Sequence, residues 1–286
     1  MTVVAADPMV ERVVWLRRFI YAFVWLDVLL FTPWVRDHGS VPHDLYRPLA
    51  IARLLHLPAP TPRLVGFVLI ALLASSAVAA IGRAPRLAGA AVFVLYFEWM
   101  LIAFSYGKVD HDRFTFLVAL ALLPTVDVLR RDTAVFAVRA VQIAAVLTYL
   151  LSVYAKHRFG GGLDTWLDST TLLRAVVRRG TFIGDVLAHA PWTLHVAQYL
   201  VVGMELASPL LLVPGRVGKA MLAAVVVFHV ATFATVTILF LPHVVCLTAF
   251  LPLEWLSTTW RLRASRSAEG PDTAPRSRAD AGSPER

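Results

Sequence analysis

Three polar side chains, Gln142, Tyr149 and Lys156, recur every seven residues in an otherwise apolar run, and Ser152 lies four residues before the lysine. Seven residues carry an α-helix through nearly two full turns, so these groups form one stripe on a single helix face. His195, Gln198 and Glu205 make a second such face, with Ser208 and Pro209 just beyond. A proline there removes a helical hydrogen bond, which predicts a kink and freed backbone carbonyls beside Glu205. His229 follows Phe228 in a third apolar run, where it serves either as a buried hydrogen-bonding group or as a cofactor contact. Asp27 and Glu98 interrupt two further runs.

Ionisable groups cost several kcal/mol in hydrocarbon, so they turn inward, pair with something and mark function. Lys156 stands out because the chain has three lysines against twenty-four arginines. Arginine does not release its proton, whereas an amine stripped of hydration can act as a base, and a lysine kept at a helix end points to that use. Snorkelling of the ammonium to the headgroups is the alternative. Glu205 has a comparable alternative, a basic partner that fixes helix packing. Asp110-His111-Asp112-Arg113 precedes another apolar run. Its aspartates suit an N-cap and the helix dipole, but a cap does not explain the histidine.

The elements that must position these groups are set by composition. Hydrophobic residues make up 58% of the 286 residues and charged ones 16%, too few polar groups to cover a surface in water. A spanning helix needs roughly 20 mainly apolar residues. Such runs occur at Phe19–Val35, Leu64–Ile81, Leu87–Tyr106, Phe114–Leu129, Val135–Tyr154, Leu194–Val213 and Gly218–Phe240. An eighth, Leu241–Leu256, is shortened or broken by Pro242 and Pro252. The expected fold is therefore an all-α integral membrane protein, a polytopic bundle of about eight transmembrane helices, with seven as the alternative. His43–Leu55 and Asp164–Arg179 read as interfacial amphipathic helices.

The first run follows Arg17 and Arg18 as a signal peptide would, but Asp27 interrupts it and Trp34, Arg36 and Asp37 occupy the cleavage region, so a retained helix is expected. The bilayer domain covers residues 1–260. Residues 261–286 form a basic tail, and the stretch from Ser265 onward has no large apolar residue and is expected to be disordered. Lys and Arg counts in the connections favour, by a modest margin, a multi-pass cell-membrane protein with both termini cytoplasmic.

The net charge of +8 comes from loops and tails beside apolar runs, which suits anionic headgroups and excludes nucleic acid as a partner. Cys246 has no internal disulfide partner. No phosphate loop, dinucleotide fingerprint, nucleophile elbow or zinc-protease helix is present, and the spacing of His38, His43 and His56 does not match a metal pair.

The order of these features resembles the horizontally transferred transmembrane (HTTM) domain family, bacterial relatives of vitamin K-dependent gamma-carboxylase. The likeness runs through Asp110-His111-Asp112-Arg113-Phe114, the Pro124 and Asp127 that close that helix, Tyr154-Ala155-Lys156, Leu163-Asp164-Thr165-Trp166, Glu205-Leu206-Ala207-Ser208-Pro209-Leu210 and Phe228-His229. The resemblance implies chemistry on a reduced quinone, with Lys156 and His111 as the catalytic pair; the polar groups Tyr149, Glu205 and His229 in the apolar runs are the candidate cofactor contacts. Three glycines between Lys156 and Trp166 depart from the family pattern. The chain also ends soon after its last apolar run, so carboxylation of a protein substrate is not expected. A quinone or other small lipophilic substrate, together with the bilayer, makes up the expected partners. The competing expectation is a non-catalytic membrane protein or a proton-coupled transporter that uses Glu205, Glu98 and Asp27.

Overall fold

In the computed structural model, residues 7–107, 111–127 and 130–257 are described, and all of their regular structure is helical. Asp110, the Leu129 end of the fourth apolar run and the tail from Ser265 lie outside the described residues.

Helix α1 spans Pro8–Leu26, starting where Asp7 accepts a hydrogen bond from the Met9 amide at 2.8 Å and Pro8 fills the first position. The helix starts well before Phe19, and Arg17 is buried inside it. Its guanidinium donates to the Leu123 and Val126 carbonyls. The axis widens into a π turn at Asp27–Phe31 and stops at Pro33.

The connection that follows does not form a single interfacial helix over His43–Leu55. It divides into a 3₁₀ turn at His43–Leu45 and α2 at Ala50–Leu54. Pro48 lacks an amide hydrogen and disfavours helical backbone at Arg47, whose own amide bonds the Ser105 carbonyl instead.

Helices α3 (Pro62–Ala80) and α4 (Pro85–Phe104) form a hairpin that packs on α1. Gly89 of α4 lies so close to the Tyr21 hydroxyl that a Cβ has no room there. Helix α5 (Arg113–Leu122) is short because Pro124 turns its end into a 3₁₀ segment. Helix α6 (Arg131–Phe159) is the longest and contacts both halves of the bundle.

The expected Asp164–Arg179 helix is likewise two pieces, α7 (Leu163–Leu167) and α8 (Thr171–Arg179), followed by α9 (Phe182–Ala188). The break is held by Gln198, whose side-chain amide collects the carbonyls that a continuous helix would have used. Helix α10 (Pro191–Ala207) ends its α-helical turns before Pro209. It tightens into a 3₁₀ turn over Ser208–Leu212. Helix α11 (Arg216–Val236) and α12 (Leu241–Cys246), with its 3₁₀ extension to Phe250, complete the fold.

Among the described residues, five helical segments are long and apolar enough to cross a membrane: α3, α4, α6, α10 with its extension to Leu212, and α11. Their outward faces are apolar as well. Only 11% of the α11 span is buried, and Val226, Val227, Val230 and Phe233 point away from the protein. Such a surface is stable against lipid and not against water, which marks a membrane-associated protein.

Candidate functional site

The stripe on α6 faces inward: Gln142 and Tyr149 are buried, and Ser152 and Lys156 are partly so. Its second half lines a cavity of about 270 Å³, mostly apolar, whose other walls come from the turn before α5 and from α7, α8, α10, α11 and α12. Lys156, His111, Tyr149, Glu205 and His229 all line this one cavity.

Two polar clusters divide the wall, about 10 Å apart along α6. In the first, the Lys156 ammonium donates to both Glu205 oxygens at 2.7 and 2.8 Å and to Ser152 Oγ at 2.8 Å. Ser152 in turn donates to Glu205 Oε1 at 3.0 Å. All three ammonium protons therefore have acceptors, and the lysine does not snorkel away. Trp166, carried by α7, places its ring 5.2 Å from Nζ, a cation–π distance. With side-chain exposures of 15% and 5%, Lys156 and Glu205 form a largely desolvated pair.

The second cluster joins Tyr149 and His229 through a 2.9 Å contact between the phenol oxygen and Nε2. His243 stands edge-on to the Tyr149 ring at 4.8 Å, and its Nδ1 lies 3.2 Å from Thr115 Oγ1. Thr115 is held by Thr148 at 2.7 Å. The other imidazole nitrogens, His229 Nδ1 and His243 Nε2, are buried without a hydrogen-bond partner on rings that line the cavity. A buried polar atom left unpaired costs about 1–3 kcal/mol.

His111 sits in the turn before α5, its ring 5.9 Å from Phe240. Asp112 occupies the cap position but makes no side-chain cap bond, contrary to the capping expectation. Its carboxylate lies 3.9 Å from Arg113 Nε. Arg113 serves a different purpose, as an ion-pair partner of Asp27 that also donates to the Tyr96 hydroxyl at 2.7 Å.

His195, the third member of the α10 face, is exposed and meets the Tyr199 ring edge-on outside the cavity. Gln198 instead reaches α7 and α8. Its Nε2 donates to the Leu167 and Ser169 carbonyls at 2.7 and 3.0 Å, and Oε1 accepts from the Leu172 amide at 2.9 Å. The Gln198 clamp holds Trp166 over Lys156. Gln198→Leu strands these groups and is expected to raise hydrogen exchange across residues 163–173 by about tenfold or more, with α6 unchanged, as read by exchange mass spectrometry.

His243 was the residue that sequence reasoning missed. The penalty argument applied to His229 singles it out equally, since it also interrupts an apolar run. Thr115 and Thr148 gave no signal, because threonines in apolar helices commonly bond their own backbone.

No family model, curated protein or solved structure matches the chain in these comparisons.

Proposed function

We propose that the chain is a multi-pass cell-membrane protein of eight spanning segments that binds a quinone-class lipophile in the Lys156 cavity and moves protons at it. The observation that carries this reading is the convergence of Lys156, Glu205, Tyr149, His229, His243 and His111 on one mostly apolar cavity. Apolar walls suit a ring and tail delivered from lipid, and the two unpaired imidazole nitrogens, on rings that line the cavity, suit ring oxygens once the rings turn toward it.

The HTTM resemblance favours the same chemistry through Lys156 and His111. The eight-segment count adds three elements to the five long helices: α1 with its π extension, and the shorter apolar helical stretches Arg113–Thr125 and Leu241–Phe250. Even parity leaves both termini on one side. Ion pairs from Arg131 to Asp7 at 3.1 Å and from Arg12 to Glu254 at 2.6 Å support it, and the positive-inside bias makes that side cytoplasmic.

A bound reduced quinone would supply an ionisable hydroxyl. In this reading Tyr149, His229 and His243 orient its oxygens, and His111 passes protons at the cavity's edge. Lys156 becomes a base only after it hands a proton to Glu205 across their 2.7 Å contact, which leaves a neutral amine beside a neutral acid. Asp27 and Glu205 are held by different cations, Arg113 and Lys156, so they form two separate pairs and not one carboxylate series.

The test is solvent extraction of the purified protein followed by quantification of quinone. Wild type is expected to retain quinone, and His229→Phe combined with His243→Phe to retain at least about tenfold less, from two lost hydrogen bonds at about 1 kcal/mol each. Equal retention by both proteins excludes the imidazoles as the binding groups.

A further inference from the structure

A second cavity, of about 170 Å³, lies between α6, α11, Phe250 and the turn that joins α10 to α11. Among the described residues its only charged linings are Arg139 and Lys219, both cationic and both exposed, and no carboxylate lines it. Arg139 is steadied by a 3.0 Å hydrogen bond to Gln142 Oε1, while Gln142 Nε2 donates to the Ala249 carbonyl at 2.8 Å. Leu211, Leu212, Leu222 and Phe250 supply large apolar side chains to the wall.

The position of this cavity in the fold fixes its surroundings. Two of the long apolar segments end and begin here, at Leu212 and Arg216, so the turn between them lies where a spanning hairpin meets the membrane surface. The interval from Arg139 to Lys156 is about 25 Å of helix, which puts this cavity at the opposite end of the bundle from the Lys156 cavity.

Two cations with no acidic neighbour attract an anion, and the apolar wall beside them suits the chain attached to it. We infer that this cavity is a binding site for the phosphate headgroup of an anionic phospholipid, held by Arg139 and Lys219 with its glycerol and first acyl carbons against Leu212, Leu222 and Phe250. The shared recognition chemistry is a phosphate, but a free phosphate leaves the apolar wall without a partner, which favours the amphiphile. The inference does not depend on the reading of the Lys156 cavity.

The experiment reconstitutes the full-length protein in nanodiscs of equal parts phosphatidylcholine and phosphatidylglycerol, then reads retained lipid by native mass spectrometry. Wild type is expected to retain phosphatidylglycerol in preference. Arg139→Gln combined with Lys219→Gln is expected to lose that preference by roughly thirty-fold, as two surface cations warrant. Arg139→Lys combined with Lys219→Arg keeps the charge and is expected to keep the preference, which separates charge from folding. Quinone content of the Gln variant is expected to stay at the wild-type level. The inference is overturned if the Gln variant retains phosphatidylglycerol as wild type does, if wild type shows no preference, or if excess inorganic phosphate displaces the lipid, the last outcome assigning the site to free phosphate.

Discussion

Replacing Arg113 by methionine is expected to lower stability by about 3–5 kcal/mol, the cost of leaving a buried charge without its partner. Asp27 is fully buried, and its carboxylate accepts from Arg113 and, at 2.9 Å, from the Tyr96 hydroxyl. Removing the guanidinium leaves the carboxylate with the phenol alone. The cluster ties the π turn after α1 to α4 and to the first turn of α5, the turn that follows His111 and Asp112. Because breaking a pair costs more than never having one, Asp27→Leu combined with Arg113→Met is expected to recover most of the loss. Unfolding of the detergent-solubilised protein measures both. If the double variant unfolds as readily as the single one, packing around Arg113 and not its charge accounts for the effect.

Much of this arrangement was legible in the sequence because it follows from one penalty. Polar groups in hydrocarbon must face inward, and helical periodicity says which of them face the same way. That argument put Tyr149, Ser152 and Lys156 on one inward stripe and Glu205 on a second, but the meeting of the two stripes at one cavity comes from the packing of α6 on α10. It could not name Arg113 as the partner of Asp27, since the two meet only through the packing of α1 on α5, and nothing in local spacing records that contact.

Helix ends were less legible than helix faces. Arg17 looked like a flank and is instead a buried donor to carbonyls exposed by the Pro124 turn. Pro209 looked like a kink and is a 3₁₀ turn. The division of Asp164–Arg179 depends on Gln198, a residue some thirty positions away along the chain, so hydrophobic spacing alone reads through it.

The Lys156–Glu205 pair offers the sharpest separation of chemistry from architecture. Lys156→Ala removes the ammonium from a carboxylate that keeps only Ser152, and the expected loss of stability lies at the lower end of about 3–5 kcal/mol because the lysine retains some exposure. If Lys156 also exchanges protons with a bound quinol, quinol turnover falls by a further factor of about 10²–10⁴, the usual contribution of a positioned acid–base group.

Loss of turnover in an unstable variant proves little, so the decisive protein is Lys156→Met combined with Glu205→Gln. This variant carries no buried charge at the pair and is expected to unfold near wild type, since replacing both partners avoids the stranded carboxylate. Its turnover is expected to stay lost, because neither methionine nor glutamine relays a proton. Recovery of stability and turnover together assigns the pair to helix packing alone. Recovery of stability without turnover leaves proton exchange at the Lys156 ammonium as its role, with Ser152 and Trp166 fixing where that ammonium sits.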